Sequence, residues 1–198
     1  MTKKRLVIFV KNPVNGEVKT RLAATVGNDK ALSVYRKLLE ITAKETEGVN
    51  ADNLVSYSKS VVEGDSFDDQ LFKKSIQKKG GLGEKMKHAF ESGFKMGFDR
   101  MVLIGSDCPS ISKSLIEEAF NRLSDTDCVI GPSHDGGYYL IGLSRFIPEI
   151  FDDIEWSTSA VFSSTTKKLE EIKASYSQLK MLNDIDDESD LKKSELFL

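Results

Sequence analysis

Cysteine, histidine, proline and tryptophan are all scarce in this sequence, and each scarcity excludes something. Two cysteines in 198 residues, Cys108 and Cys128, form no CxxC pair. That excludes a disulfide framework or a cysteine-rich zinc site and predicts reduced thiols in a cytoplasmic protein. Two histidines, His88 and His134, lie far apart, which leaves a histidine zinc centre or a Ser-His-Asp triad without support. Four prolines and the lack of any biased stretch leave no linker, so residues 1–198 read as one domain. No long hydrophobic run is present. After MTKKR the apolar stretch is only Leu6–Val10, too short for a signal sequence or a membrane span. An excess of one charge is missing too. With 28 Lys and Arg against 31 Asp and Glu, the net charge is −3 and the cations are scattered. A nucleic-acid polymer, which needs a concentrated basic face, is not an expected partner.

What is present centres on Met101–Pro109, MVLIGSDCP. Met101–Ile104 is a continuous apolar run that suits a strand covered on both faces. Gly105-Ser106 loosens the backbone and Pro109 prevents the strand from continuing. Asp107 should therefore emerge at the carboxyl end of a buried strand, the edge where open parallel sheets bind ligands. It reads equally well as a turn aspartate bonding its own backbone. Ser112 is a plausible cap for a helix over Lys113–Leu123.

Arg5–Val10 reads as a first, central strand. The loop Lys11–Leu22 that follows holds Lys11, Lys19 and Arg21 with Pro13 and Gly16. Such a loop can lay N–H groups and cations around a diphosphate, or it can be a solvated surface loop. It matches neither a P-loop nor a GxGxxG fingerprint. Asp29–Glu47 has helical periodicity and Leu54–Tyr57 reads as a strand. A helix at Phe67–Phe72 and a strand at Ser75–Gln77 are weaker readings. Gly80-Gly81-Leu82-Gly83 opens a helix carrying Met86, Ala89, Phe90 and Phe94.

Cys128–Ile130 and Tyr138–Leu143 read as strands around His134-Asp135-Gly136-Gly137. Asp-Gly alone predicts a hairpin turn. The functional reading makes Asp135 and the glycines one wall of a cleft. Ile147–Phe151 is a short apolar segment. Trp156 precedes a helix with Phe162, Thr165, Leu169 and Ile172, and reads as core or as a platform for a sugar or base. Leu179–Leu182 reads as a last strand. Asn183–Asp190 then packs five acids into eight residues, which suits either a hard cation or a helix N-terminus.

FVKNPVNGEVKTRL (Phe9–Leu22), GGLGEKM (Gly80–Met86), LIGSDCPSI (Leu103–Ile111), GPSHDGGYYLIGL (Gly131–Leu143), WST (Trp156–Thr158) and LNDIDDESDL (Leu182–Leu191) occur in one order along almost the whole chain. Together they resemble the GT-A-fold radical-SAM/selenodomain-associated transferases, relatives of the molybdenum-cofactor and phospholactate nucleotidyltransferases. The resemblance implies an α/β fold, a three-layer α/β/α sandwich with a mostly parallel central sheet. It implies a nucleoside-diphosphate sugar or NTP as one partner, a small-molecule acceptor as the other, and Mg²⁺ or Mn²⁺ as cofactor. By this analogy Asp107 looks like the metal-binding aspartate, with Asp186, or Asp184 beside it, as second carboxylate. Lys11, Gly16, Lys19 and Arg21 match the phosphate loop, and Gly83, with Lys85 two residues on, matches the turn beside the base. Gly81 and Lys85 stand where the family pattern has Asp and Arg, and Asp187 and Glu188 replace its Thr-Pro.

The chemistry of that class needs charge neutralisation on the leaving phosphates and a held acceptor. The expected function is metal-dependent transfer from a nucleoside-diphosphate sugar, with Asp107 and Asp135 catalytic. His134, Gly136, Gly137, Tyr138 and Trp156 would line the acceptor side. Nucleotidyl transfer from an NTP to a small phosphorylated acceptor is the alternative within enzymes. A nucleotide-binding regulatory protein without turnover is the alternative outside them.

Overall fold

The computed structural model describes residues 2–194 and residue 196. Seven strands form one sheet: β1 (Lys4–Val10), β2 (Asp52–Tyr57), β3 (Lys73–Ile76), β4 (Arg100–Ile104), β5 (Cys128–Pro132), β6 (Tyr138–Leu143) and β7 (Tyr176–Gln178). Their order is β3-β2-β1-β4-β6-β5-β7. Only β6 runs against its neighbours β4 and β5; the other pairings are parallel.

The continuous apolar runs explain the layering. Alternate residues of one strand enter two different cores. Leu6, Ile8 and Val10 of β1 and Val102 and Ile104 of β4 pack under helices α2 (Asn28–Glu47) and α4 (Lys113–Arg122). Val7, Met101 and Leu103 face the opposite layer, with α3 (Leu82–Lys95), a 3₁₀ turn at Pro148–Phe151 and α5 (Val161–Glu171). A sheet covered on both faces makes three layers. A third, smaller core joins α1 (Thr20–Val26) and α2 to the C-terminal α6 (Glu188–Lys193) through Leu22, Leu38, Ile185 and Leu191.

Three local expectations are corrected. Phe67–Phe72 is not a helix. Asp65 and Asp68 accept the amides two residues on, from Phe67 and Gln70, and the two Phe rings meet edge-on at 5.3 Å. The last strand is Tyr176–Gln178 and not Leu179–Leu182, of which Leu182 alone bridges to Ser133. Helix α1 was not expected. It has seven residues, no side-chain cap, and Lys19 at its N-cap in the left-handed region (φ 48°, ψ 46°).

Strand β1 is where the topology turns. Its chain leaves toward β2 on one side, and β4 begins the succession on the other. The loops after β1 and β4 therefore diverge at their carboxyl ends and open a crevice, the usual ligand position in such sheets. The β5–β6 turn and the N-terminus of α3 reach the same edge, because β6 is reversed and β3 is parallel to β2.

Candidate functional site

The crevice is a cleft of about 710 Å³. Its floor is Asp107, which leaves β4 at the predicted place, and Lys19 from the loop after β1. The Lys19 Nζ stands 3.1 Å from Asp107 Oδ2 and 3.4 Å from Asp186 Oδ1; Arg21 Nη1 donates to Asp186 Oδ2 at 3.2 Å. Three segments remote in sequence thus meet at one ammonium group. The Lys19 side chain is only 5% exposed, against 43% and 36% for the two aspartates. Burial alone would lower the Lys19 pKa, but Asp107 and Asp186 outweigh it and hold the pKa above the usual lysine value. The left-handed backbone at Lys19 costs on the order of 1 kcal/mol for a residue with a Cβ. The ion pairs offset that strain.

Asp184 adds a third acid. Its Oδ1 is buried without a hydrogen-bond partner. Burial, then the Asp107 charge, push its pKa up to about 8 despite the opposing pull of Lys19.

The acids are placed by an apolar anchor. Ile185, between Asp184 and Asp186, is 1% exposed and enters the small core with Leu22 and Leu191. Its amide donates to the Asp107 carbonyl at 3.2 Å. Helix α6 is capped reciprocally by Asp187 and Asp190, and Asp190 Oδ2 also accepts the Asp186 amide at 3.1 Å. Replacing Ile185 by Ala should cost about 2–4 kcal/mol of stability as a buried truncation. It should also loosen Asp186, so the urea midpoint and ligand affinity should fall together. A midpoint lowered with affinity intact would uncouple the anchor from the site.

Two further residues hold the loops, and sequence reasoning missed both as site residues. Tyr35 lies on the buried face of α2, where helical periodicity alone gives it a packing role. Its hydroxyl accepts the Lys11 amide at 2.9 Å, donates to the Lys11 carbonyl at 3.0 Å, and meets Ser106 Oγ at 3.1 Å. The loops after β1 and β4 are therefore pinned to one buried phenol, whose pKa burial pushes up to about 12. Buried Asn12 ties the same loop to the residues after β2. Its Oδ1 accepts the Lys59 amide at 2.9 Å, and its Nδ2 donates to the Ser60 carbonyl at 2.8 Å. The only signal in the sequence is an Asn directly before Pro13, a pairing that marks a turn. Tyr35→Phe takes the phenol from the Lys11 amide, the Lys11 carbonyl and the buried Ser106 hydroxyl, and should lower stability by about 1–3 kcal/mol. Chemical denaturation of the two proteins measures it, and an unchanged midpoint would remove the phenol from this role.

The other predicted residues divide. Lys11, Lys85, Asp135, Gly137, Tyr138 and Trp156 line the cleft along with Asp107, Lys19, Arg21 and Asp186. Gly16 and His134 are exposed and do not line it. Gly83 and Gly136 stand behind its wall. A Cβ on Gly83 would lie 2.3 Å from Trp156 Nε1, and one on Gly136 (φ +88°) would lie 2.1 Å from the Ser159 carbonyl oxygen. The two glycines thus let the chain pack closely against the two ends of the Trp156–Ser159 loop. Asp135 serves its turn through Oδ1, which accepts the Ser133 hydroxyl and the Gly137 amide at 2.9 Å. The plain hairpin reading of this stretch is correct for that oxygen.

Sheet order, three layers and a cleft at the diverging edge define a nucleotide-diphospho-sugar transferase-like fold. A Desulfovibrio desulfuricans G20 protein classed by name as a nucleotide-diphospho-sugar transferase superposes with a TM-score of 0.89 at 36% identity, covering 96% of this chain and 85% of that one. The 4-diphosphocytidyl-2C-methyl-D-erythritol synthase of Anaerococcus prevotii DSM 20548 shares the fold alone, with a TM-score of 0.59 at 11% identity, covering 97% and 94%. The chain belongs to the family described as "Uncharacterized protein conserved in bacteria (DUF2064)", whose model matches residues 49–158. It is also 28% identical over 138 residues to a 2-phospho-L-lactate guanylyltransferase of Methanocaldococcus sp. (strain FS406-22), which is 69% of this chain and 58% of that protein. The chain therefore spans somewhat under three fifths of the length of that curated relative.

Proposed function

We propose that this protein is a nucleotidyltransferase that moves a nucleoside monophosphate from an NTP to a small-molecule acceptor. The observation that carries the proposal is the ion-pair cluster at the diverging edge: Lys19, held between Asp107 and Asp186, with Arg21 on Asp186 and Lys11 lining the same cleft. The likeness to guanylyltransferases over two thirds of the chain supports the reaction class. The six motifs support the narrower placement among radical-SAM/selenodomain-associated transferases.

In this reading an acceptor oxygen attacks the α-phosphorus, the α–β phosphoanhydride bond breaks, and pyrophosphate leaves. Lys11, Lys19 and Arg21 supply positive charge where negative charge accumulates on the leaving phosphates. Lys85, from the first turn of α3, faces the same space. A hydroxyl acceptor would pass its proton to Asp135, whose Oδ2 is not used by the turn. An acceptor that is already an anion needs no base.

A hard divalent cation, Mg²⁺ or Mn²⁺, fits the donors present. Asp107 and Asp186 are brought together on the Lys19 ammonium, each still more than a third exposed and able to turn an oxygen to a cation, and the orphaned Asp184 oxygen lies within the same group of charges. Among the described residues no three His, Cys, Asp or Glu side chains form a cage for a metal ion. Two carboxylates completed by water and phosphate oxygens is nevertheless a usual Mg²⁺ arrangement. When bound, such an ion supplies charge neutralisation on the phosphates.

A second reading, transfer from a nucleoside-diphosphate sugar, is favoured by the 36% identity to the Desulfovibrio protein. The leaving group separates the two. Pyrophosphate released from an NTP in an acceptor-dependent way is expected. Release of a nucleoside diphosphate from a nucleotide sugar, with no NTP turnover, would overturn nucleotidyl transfer.

A further inference from the structure

The cleft cations are confined to one of its two sides. All four cleft cations come from one side, Lys11 and Lys19 from the loop after β1, Arg21 from the start of α1 and Lys85 from α3, and they share that side with Glu17, Asp107, Asp184 and Asp186. Lys19 and Arg21 are already paired with acids. The facing wall is the 133–137 turn and the 156–159 loop, and among its cleft-lining residues Asp135 alone is ionisable. The rest of that wall is the Trp156 indole and the hydroxyls of Ser157, Thr158 and Ser159. Thr158 is spent internally, donating to the Glu155 carbonyl at 2.8 Å, while Ser157 and Ser159 are exposed. Tyr138 meets Trp156 edge-on with centroids 6.4 Å apart. The wall is also rigid, because Gly83 and Gly136 admit it only in this position and the Phe162 amide donates to the Gly136 carbonyl at 2.9 Å.

A carboxylate, free hydroxyls and an indole suit a neutral polyhydroxylated molecule. Hydroxyls donate to the carboxylate, and the C–H face of a sugar or polyol packs on the aromatic ring. A phosphate in contact with this wall would meet the Asp135 charge with no cation on the wall beside it, and specificity arises from such unpaired like charges. We infer that the acceptor of this protein is a neutral sugar or polyol and not a phosphorylated acid. This rests on the proposed nucleotide site across the cleft, but concerns the other substrate.

Trp156 is the single tryptophan in the chain, so its indole N–H gives one resonance that reports on this wall. The test uses the full chain saturated with GTP or CTP and Mg²⁺, nucleotide loading being verified first by thermal shift. Ribose against ribose 5-phosphate, and glycerol against glycerol 3-phosphate, are then titrated while that resonance is followed. The neutral member of each pair should reach half-saturation at a concentration at least tenfold lower. In Asp135→Asn, whose amide oxygen can still accept from Ser133 and Gly137, that gap should narrow at least threefold. Tighter or equal response to the phosphorylated members, a gap unchanged in Asp135→Asn, or no response to either neutral probe would overturn the inference. Failure of the initial thermal shift with every nucleotide would instead remove the nucleotide site itself, and the acceptor inference with it.

Discussion

Replacing Lys19 by Met should weaken nucleotide binding by about thirtyfold to several thousandfold. That range corresponds to roughly 2–5 kcal/mol for the loss of a desolvated charge-assisted contact. Lys19 is the least exposed cation of the site, and its Nζ already sits against Asp107 and Asp186. Its removal takes a positive charge from the phosphate position and leaves Asp107, Asp184 and Asp186 facing one another. Ligands with two or three phosphates should suffer most, and nucleosides should bind as before. Lys19→Arg should not restore affinity, because a planar fork does not occupy the compact point at which the ammonium meets both acids. Titration calorimetry with the nucleoside, diphosphate and triphosphate of one base measures the difference. Equal affinities for wild type and Lys19→Met would remove the loop from the site.

Gly136→Ala should be strongly destabilising. Its φ of +88° lies where a side chain is strained. A Cβ there would also lie 2.1 Å from the Ser159 oxygen and 2.6 Å from its Cα, so backbone and not a flexible side chain must yield. Strain and overpacking together should cost about 3 kcal/mol or more. The expected signs are a lowered melting temperature and a shifted Trp156 emission, since the displaced segment carries that residue. A melting temperature within 1–2 °C of wild type, equivalent to a few tenths of a kcal/mol at this size, would contradict the close approach.

The elements legible in the sequence were those whose signal is local. Leu6–Val10 and Met101–Ile104 are apolar without interruption because both faces of their strands are covered, and they lie within β1 and β4. Ser112 does cap α4, accepting the Leu115 amide at 3.4 Å. Helix α1 escaped because Leu22 is its only fully buried residue and no side chain caps it. In the last strand the buried Leu179 and Leu182 drew the reading three residues late, since Tyr176–Gln178 pairs with Cys128–Ile130 by backbone and carries little apolar pattern. Asp107 was legible because it follows a buried run directly. Its meeting with Lys19, 88 positions away, was not, and neither was that of Lys19 with Asp186, 167 positions away. The two glycines illustrate a different limit. Gly83 is expected beside the base and Gly136 on the acceptor side, and the close neighbours that a Cβ would meet there are Trp156 and Ser159 of the protein itself.

The central claim is that the cleft between the ends of β1 and β4 binds the phosphates of a nucleotide. The most direct measurement is a crystal structure of the full chain grown with a nucleoside triphosphate and Mg²⁺ at saturating concentration. The account predicts phosphate oxygens within hydrogen-bond distance of Lys19 and of Arg21 or Lys11, with Asp107 beside them. A nucleotide bound elsewhere on the molecule, or a cleft still empty at saturation, would contradict it.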